Sequence, residues 1–386
     1  MKRTVGRAWR SLRGRSAGEL RERAAQWRAA KLERLNLSPL TRLPADADVP
    51  PPSSQSWPPP LPPGEAYRHF LESRGPSAGR SLEAAAERIL AGRLDLLGLK
   101  DLAVGSPVDW HRDPVAGIAA PRRHWSRISY LDPGVAGDHK VTWEINRHQW
   151  FLTLGRAWRL TGDQRYAECF VRQLASWMDE NPPKAGINWA SSLELAYRAI
   201  AWIWALRFFE GSLSLTPELR ARARKFLFLH GRHIETYLST YFSPNTHLTG
   251  EALGLVYLAA AFPGWKSSPR WRAMGTGILK DALALHVRPD GVYFEQASYY
   301  HRYTADIYTH FYLLTRESQP EVAESLRPAL AALLDHLMWI TRPDGTTPFV
   351  GDDDGGRLMV LDERPPEDFR AALSTGAALF SRGDFN

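Results

Sequence analysis

The chain has 386 residues, of which 44% are hydrophobic and 24% are charged. A chain of this length and composition can bury a large core, which excludes an intrinsically disordered protein. Its one cysteine, Cys169, excludes an internal disulfide and a cysteine-based metal cluster, and its place in a helical pattern predicts a packing role.

The formal net charge of +7 is concentrated at the N-terminus. Residues 1–36 carry 11 Lys and Arg against 3 Asp and Glu, and the remainder carries 38 against 39. Because the main body is close to neutral, no nucleic-acid partner is predicted. The basic arm, residues 1–43, either contacts an anionic surface or is a solvated helix packed on the body by Leu20, Ala24, Trp27 and Leu35.

The basic residues at the N-terminus are followed by further arginines, and the apolar core that a secretory signal requires is missing from this segment. No apolar run approaches the length that would span a membrane. We therefore expect a cytoplasmic protein without a membrane span, with a periplasmic or secreted location as the alternative.

Residues 44–64 are dense in proline and predict a linker or an extended strap, followed by one domain over residues 65–386. Between residues 81 and 133 the pattern mixes a helix over 82–90 with short β-like runs and turns. From residue 140 onward, amphipathic helices follow one another at 142–161, 164–180, 189–209, 216–238, 245–262, 268–287, 298–316 and 319–340. This pattern predicts an all-α domain and by itself fits a toroid, a solenoid or an irregular bundle.

The first polar cluster, Trp143 to Gln149, opens an otherwise apolar helix. Asn146, Arg147 and Gln149 are candidates for a groove that binds substrate. The equal alternative is a buried ion pair between Glu144 and Arg147, which stand three residues apart.

The second cluster brings Asn188 and Trp189 from a loop to a helix start. An exposed indole beside an amide is typical of a sugar subsite, because it combines a flat apolar face with a hydrogen-bonding group. The alternative is a core tryptophan with a capping asparagine.

The third cluster, Phe242 to Glu251, predicts a helix capped by Ser243 with Pro244 in its first position. Asn245 and His247 would then lie in the first turn, where free amides and the positive end of the helix dipole favour a carboxylate. The alternative is an ordinary capped helix with an incidental histidine.

The fourth cluster predicts a helix capped by Ser298, with Tyr299, Tyr300 and His301 in its first turn. The helix dipole and Arg302 would lower the pKa of a phenol there from its usual value of about 10, so that a tyrosine can act as a base. Aromatic packing is the alternative for Tyr299 and Tyr303.

The fifth cluster, Arg342 to Arg357, contains three consecutive aspartates, 352 to 354. They lack the alternate spacing of a calcium loop, so a structural turn is favoured over a metal or substrate contact, and no metal site is predicted.

In this order the clusters resemble heparinase II/III-like polysaccharide lyases, over roughly residues 80–386. The resemblance lies in the segments 143–149, 188–194, 244–251, 294–303 and 343–352. It implies an incomplete α/α toroid after a short irregular, β-containing part, and a substrate cleft against a C-terminal β-sandwich. Because the chain ends at Asn386, we expect that sandwich to be absent. The chain would then be a truncated reading frame, a fragment, or a domain that needs a partner, such as a separate β-sandwich domain or a second copy in a homo-oligomer.

The resemblance implies that Tyr300 transfers the proton and that Asn245 and His247 surround the carboxylate of a uronic acid. It implies supporting, substrate-binding roles for Arg147, Asn188, Trp189, Glu251 and Arg302. Asn146 and His301, from the same clusters, are further substrate-binding candidates, and the histidine beside Tyr300 is the alternative base. Many relatives have asparagine directly before the histidine, where this chain has Thr246.

The implied reaction is β-elimination on an acidic polysaccharide such as alginate, a heparan-type chain or a bacterial exopolysaccharide, without a metal or organic cofactor. Donors must hold the enolate-like charge before the proton next to the carboxylate can leave. One alternative is an inverting glycoside hydrolase using two carboxylates from Glu144, Glu194, Glu251 and Glu295. The other is a non-catalytic domain that binds acidic glycans.

Overall fold

A computed structural model describes residues 14–53, 56–75, 77–353, 357–362 and 364–385. Residues 1–13 of the predicted basic arm and residues 354–356 of the fifth cluster lie outside the described residues. The helices are α1 (Ala17–Arg34), α2 (Gly64–Ser73), α3 (Ala78–Leu90), α4 (Pro133–Ala136), α5 (His139–Asn146), α6 (Trp150–Thr161), α7 (Gln164–Glu180), α8 (Ser192–Phe208), α9 (Pro217–Thr236), α10 (Thr246–Ala261), α11 (Ser268–His286), α12 (Ser298–Thr315), α13 (Pro320–Ile340) and α14 (Arg370–Phe380).

Helices α6 to α13 alternate between an inner and an outer layer. The inner helices α6, α8, α10 and α12 pack on one another in sequence, and each is joined to an outer helix, α7, α9, α11 or α13. This arrangement confirms the predicted all-α, incomplete α/α toroid. Within the described part of the chain, no helix combines the length and apolarity needed to cross a lipid bilayer.

Small residues let the inner helices α8 and α10 approach closely. A Cβ atom on Gly254 would lie 2.6 Å from the Cβ of Ala196, and one on Gly250 would lie 2.8 Å from the hydroxyl oxygen of Tyr197. Both distances are shorter than real Cβ contacts, so glycine is required at these positions to hold α10 against α8.

The predicted helix over 142–161 is wrong in one respect, because it is divided into α5 and α6. His148 lies between them with φ at +59°. Its imidazole Nδ1 accepts a hydrogen bond of 2.8 Å from the indole of Trp202 and its ring stacks on Phe151. These buried contacts hold the backbone in a left-handed conformation that a continuous helix does not allow.

Between residues 93 and 119 the chain forms two small antiparallel hairpins, as the short β-like runs predicted. Strands β1 (Arg93–Leu96) and β2 (Leu99–Ala103) form one, and β3 (Arg112–Asp113) and β4 (Ile118–Ala119) form the other.

The proline-rich segment lies against the helices as an extended strap. The amide of Trp57 donates to the carbonyl of Ala260 at 3.1 Å, and the indole of Trp265 donates to the carbonyl of Pro50 at 3.1 Å. The indole rings of Trp57 and Trp204 also meet edge to face, 6.2 Å apart.

The basic helix α1 docks on the ring by a different face from the predicted one. Trp27 and Leu35 are 62% and 57% exposed, whereas the side chain of Glu33 is buried. The Glu33 carboxylate lies 2.9 Å from the ammonium of Lys184 and accepts a hydrogen bond of 3.2 Å from the indole of Trp125. A buried ion pair therefore anchors the arm, in place of the predicted apolar stripe.

Replacement of Glu33 by glutamine is expected to destabilise the fold by about 3 kcal/mol, because it leaves the buried Lys184 ammonium without its counter-charge. The double variant Glu33→Gln/Lys184→Met is expected to recover part of this loss. The measurement is urea unfolding of the single and double variants.

The control is Asp95→Asn, which breaks an exposed pair with Arg88 at 3.0 Å. Its expected cost is below about 1 kcal/mol. Equal losses for Glu33→Gln and Asp95→Asn would contradict an anchoring role of the buried pair.

Candidate active site

Asn245 caps the start of α10. Its side-chain Oδ1 accepts a hydrogen bond of 3.2 Å from the amide of His247, and its Nδ2 donates to Glu295 Oε1 at 2.8 Å. The two bonds fix the orientation of the amide, because a backbone N–H requires the oxygen and a carboxylate requires the nitrogen. The predicted cap at Ser243 is wrong, since that residue still belongs to a turn closed on the carbonyl of Ser239.

His247 lies in the first turn of α10 and is half-buried. Its Nδ1 is 3.2 Å from Asn245 Oδ1, which can only accept a hydrogen bond. In a neutral ring, the proton is therefore assigned to Nδ1.

Glu295 joins this helix start to the segment that leads into α12. Its second oxygen, Oε2, accepts a hydrogen bond of 3.2 Å from the hydroxyl of Thr246. A small hairpin, in which Val287 pairs with Tyr293, holds the glutamate in place. Glu295 stands five residues before Tyr300 in the chain, and its bonds to Asn245 and Thr246 place the start of α10 at the same end of the ring as the segment that leads into α12.

Tyr300 is half-buried in the first turn of α12, as predicted. The helix begins at Ser298, but the serine does not cap it. Instead, the Ser298 hydroxyl donates to the carbonyl of Pro348 at 2.5 Å and accepts from the amide of Val350 at 3.0 Å. Ser298 thus ties the start of α12 to the fifth cluster.

The neighbouring tyrosines of α12 take part in aromatic packing, as the alternative interpretation predicted. The ring of Tyr299 contacts Phe349 and Phe369 at centroid distances of 5.8 Å and 5.2 Å. The ring of Tyr303 meets Tyr197 edge to face at 5.6 Å.

Arg147 forms a buried ion triad. Its Nε and Nη2 donate to both oxygens of Glu194 at 2.7 Å and 2.9 Å, and its Nη1 donates to Glu144 at 2.7 Å. Its guanidinium also lies 5.1 Å from the ring centre of Tyr197. The ion-pair alternative therefore describes this cluster, and Arg147 braces α5 against α8 where a substrate contact was predicted.

Three other predicted substrate-binding residues are buried in the ring. The amide of Asn146 donates to the carbonyl of Trp110 at 3.0 Å and accepts from the indole of Trp177 at 2.7 Å. Asn188 also donates to the Trp110 carbonyl, at 2.8 Å. Trp189 is 0% exposed, so the expected exposed sugar platform is wrong and the core-tryptophan alternative applies.

Glu251 is also buried, and it holds the turn that precedes Asn245. Its carboxyl group accepts hydrogen bonds from the amide and the hydroxyl of Ser239 at 2.7 Å and 2.6 Å. Burial raises the pKa of Glu251 to about 8. Glu251 therefore acts on the candidate site through the turn and does not reach a substrate directly.

The two residues after Tyr300 contact other parts of the chain. His301 Nε2 lies 2.8 Å from the carbonyl of Leu333, its Nδ1 accepts from the amide of Tyr293, and burial lowers its pKa to about 4. Arg302 lies over Phe369 at 5.1 Å and lines a separate cavity. The structure therefore does not bring these two residues together with Asn245 and His247.

Metal ligation has no clear candidate in the described part of the chain, where no group of three or more histidine, cysteine or carboxylate side chains is placed to hold an ion. Asp352 and Asp353 are exposed beside Gly351, whose φ is +72°. Asp354 lies outside the described residues, so the structural turn over the aspartate run stays a prediction.

Sequence reasoning missed the part that Glu295 plays, since it named this residue only as a candidate hydrolase carboxylate. Its position just before the predicted start of α12 was a usable signal. The turn at Ser239 had no such signal, because its partner Glu251 is brought to it only by folding.

Comparison with known proteins adds independent information. A family model described as Heparinase II/III N-terminus matches residues 94–362. Heparin-sulfate lyases from Pedobacter heparinus and Bacteroides stercoris are each 28% identical, over 56% and 44% of this chain and 33% and 28% of their own lengths. The matched part thus spans about a third of these relatives.

Solved structures share the fold. A heparan sulfate lyase from Pedobacter heparinus aligns with a TM-score of 0.56 and 20% identity, covering 82% of this chain and 48% of that one. An alginate lyase from Bacteroides ovatus aligns with a TM-score of 0.52 and 15% identity, covering 83% of this chain and 92% of that one.

The Glu251 carboxyl group predicts a pH dependence of stability. Between pH 4.5 and about 8 the folded chain keeps a proton that the unfolded chain releases, so this group makes stability fall as pH rises through that window. The contribution of Glu251 to the free energy of unfolding changes by at most about 1.4 kcal/mol per pH unit. Glu251→Gln preserves the contacts with Ser239 and removes this pH dependence.

The measurement is urea unfolding of the parent and of Glu251→Gln at intervals between pH 5 and pH 8. The stability of the parent relative to the variant is expected to decline steadily. Parallel curves would show that Glu251 is ionised in the folded chain.

Proposed function

Because the chain belongs to the heparinase II/III family, we propose that it is a polysaccharide lyase that cleaves a polymer containing uronic acid by β-elimination. The observation that carries the proposal is the hydrogen bond of 2.8 Å between Asn245 and Glu295. It joins the start of α10 to the segment that leads to Tyr300, so that an anion-binding group and a proton-transfer group stand at one end of the ring.

In the proposed reaction, the start of α10 binds the carboxylate of the uronic acid. The positive end of a helix dipole and its first-turn amides favour an anion. The second N–H of the Asn245 amide and a protonated His247 Nε2 are the proposed donors. They act most strongly when negative charge spreads onto the carboxylate as the adjacent proton leaves.

The proposed base is Tyr300, as its phenolate. It takes the proton from the carbon next to the carboxylate, and the electron pair of that C–H bond forms a C=C bond. The glycosidic C–O bond on the next carbon breaks, and the departing oxygen takes a proton from the phenol that has just formed or from water. The products are one new chain end with a free hydroxyl and one with an unsaturated uronate.

The carboxylates required by a glycoside hydrolase have other contacts. Glu144 and Glu194 bind Arg147, and Glu251 binds Ser239. Glu295 holds Asn245. An inverting hydrolase requires two carboxyl groups about 6.5–9.5 Å apart with room for water. The use of all four candidate carboxylates within the protein supports elimination over hydrolysis.

The proposed substrate class is an acidic polysaccharide in which a uronate carries the cleaved bond. The relatives reported above are named for heparin sulfate, heparan sulfate and alginate. Their common element is the uronic acid, which is also the group that Asn245 and His247 would recognise.

Replacement of Tyr300 by phenylalanine is expected to lower the rate of elimination by about 10² to 10⁴, because it removes a group that transfers a proton in the transition state. The assay is ultraviolet absorbance of the unsaturated uronate during digestion of alginate, heparan sulfate and polygalacturonate. Tyr299→Phe is the matched control, since that ring packs on Phe349 and Phe369.

A Tyr300→Phe variant as active as the parent would remove Tyr300 from its proposed role. New reducing ends without ultraviolet absorbance would indicate a hydrolase. Binding of an acidic polymer without cleavage would indicate a glycan-binding domain.

Replacement of Asn245 by alanine is expected to lower kcat/KM by about 10² to 10³, the loss typical of one donor to a developing oxyanion. It also removes a helix cap, at a cost of about 1 kcal/mol. The matched control is Asp163→Ala, which removes the cap of α7, where the carboxylate accepts from the amide of Arg165 at 2.9 Å.

The two variants are expected to lose similar stability in urea unfolding, and only Asn245→Ala is expected to lose activity. If Asp163→Ala loses as much activity, the effect belongs to helix capping and not to recognition of the carboxylate.

A further inference from the structure

A cavity of about 730 Å³ lies at the seam of the incomplete ring, where α12 comes round to α6. We call it the seam cavity. It is lined by the C-terminal halves of α6 and α8, by α12 from Arg302 to His310, and by α2 and α14. At 1.5 Å per helical residue, it lies about 6 to 18 Å along α12 from Ser298. Its described lining does not include Asn245, His247 or Tyr300.

The seam cavity carries an excess of positive charge. Three aspartates line it, together with six arginines, Arg74, Arg156, Arg159, Arg302, Arg357 and Arg364. One aspartate, Asp368, is compensated from outside the cavity, because Arg370 binds its carboxylate at 2.6 Å. Burial raises the pKa of a second, Asp306, to about 6, which weakens its charge in mildly acidic solution.

Contacts inside the seam cavity only partly offset these cations. Arg159 donates to the carbonyl of Pro62, and Arg357 donates to the carbonyl of Arg364 at 2.7 Å, so both use neutral acceptors. Arg364 lies 3.9 Å from Asp362 and 4.0 Å from Asp368, beyond normal hydrogen-bonding distance. Six arginines against three aspartates leave the lining with more positive than negative side chains, and a cleft with such an excess and apolar walls concentrates the opposite ion.

The walls between the arginines are aromatic. Trp204, Phe208, Phe70 and Phe369 line the seam cavity, and its volume falls within the range of about 300 to 1,000 Å³ typical of ligand sites. Planar guanidinium groups suit carboxylate and sulfate, and flat aromatic rings suit the faces of sugar rings.

We propose that the seam cavity binds a short acidic oligosaccharide, with its carboxylate or sulfate groups on the arginines and its sugar rings on the aromatic walls. This site is separate from the candidate active site, and its existence does not depend on the lyase reaction. One molecule of the protein could therefore bind two oligosaccharides at once, one in the seam cavity and one at Asn245 and His247.

The test is calorimetric titration of the full chain carrying Tyr300→Phe, which prevents consumption of the ligand. The probes are trigalacturonate for carboxylate and a sulfated heparin disaccharide for sulfate, with inorganic phosphate as a simple anion. The double variant Arg159→Gln/Arg364→Gln is expected to weaken saccharide binding at one class of sites by about tenfold or more. Each of its two replacements removes a charge-assisted contact with the saccharide. The surface change Arg316→Gln is expected to leave binding unchanged.

A second variant covers the case in which the double replacement does not fold. Ser374 is exposed at the rim of the seam cavity, so Ser374→Trp is expected to block the cavity without disturbing the core. In the chain with Tyr300 intact, Ser374→Trp is expected to keep the ultraviolet-detected elimination rate. Failure of the lyase proposal would therefore appear in a different assay from failure of this one.

Loss of one class of saccharide sites in Ser374→Trp or in the arginine variant, with Arg316→Gln unaffected, supports the proposal. Unchanged saccharide binding in whichever of the two cavity variants folds would overturn it. Equal affinity for phosphate and for both saccharides would also overturn it, because the cavity would then hold only a simple anion.

Discussion

The arrangement of the candidate active site depends on one hydrogen bond, from the Asn245 amide to the Glu295 carboxylate. Asn245 belongs to the start of one inner helix, and Glu295 belongs to the loop that enters the next. Together with the longer bond of 3.2 Å from the Thr246 hydroxyl to the same carboxylate, the Asn245 bond links the two loops by polar contacts as well as by packing between the helices further down the ring. The same bond fixes which way the Asn245 amide points, and through it the proton on His247 Nδ1. The proposed anion-binding residues and the segment that leads to Tyr300 are thus linked through one carboxylate.

Most of the polar residues near this end of the ring hold the protein together. The inner helices are buried on nearly all sides, so each polar group that they carry needs a partner inside the protein. Arg147 meets two carboxylates, and Glu251 meets the turn at Ser239. These contacts keep the loops of α8 and α10 in fixed positions. A substitution at such a residue would act on the candidate site by displacing the loops. A polar cluster that looks like a substrate contact in the sequence can therefore be a structural one.

The parts of the chain outside the ring are attached to it by specific contacts. The basic arm is fixed by Glu33 and Lys184, and its helix donates from Gln26 to the carbonyl of Leu238, in the loop that leads to the candidate site. The proline-rich strap is fixed by backbone hydrogen bonds at Trp57 and by the indole of Trp265. Together with the C-terminal segment, the strap closes the seam of the ring and forms one wall of the seam cavity. These segments are therefore structural elements of the domain.

The sequence by itself determined the succession of helices, because the apolar period of about 3.6 residues and the breaks between helices are local properties. The closure of these helices into a ring was expected only from the resemblance to a known family. The sequence also determined that His247 and Tyr300 lie in helix first turns, whereas Asn245, expected in the first turn, is the cap that precedes it. Local pattern did not decide which side chains face solvent. The pattern is compatible with an exposed sugar platform at Trp189 and a substrate groove at Asn146, but both side chains are buried. Only the tertiary structure decided that Arg147 is neutralised by Glu194, 47 residues away, and that Glu295 links the two helix starts across 50 residues. The physical reason is that burial and ion pairing depend on neighbours distant in the chain, whereas helix formation depends on neighbours within a few residues.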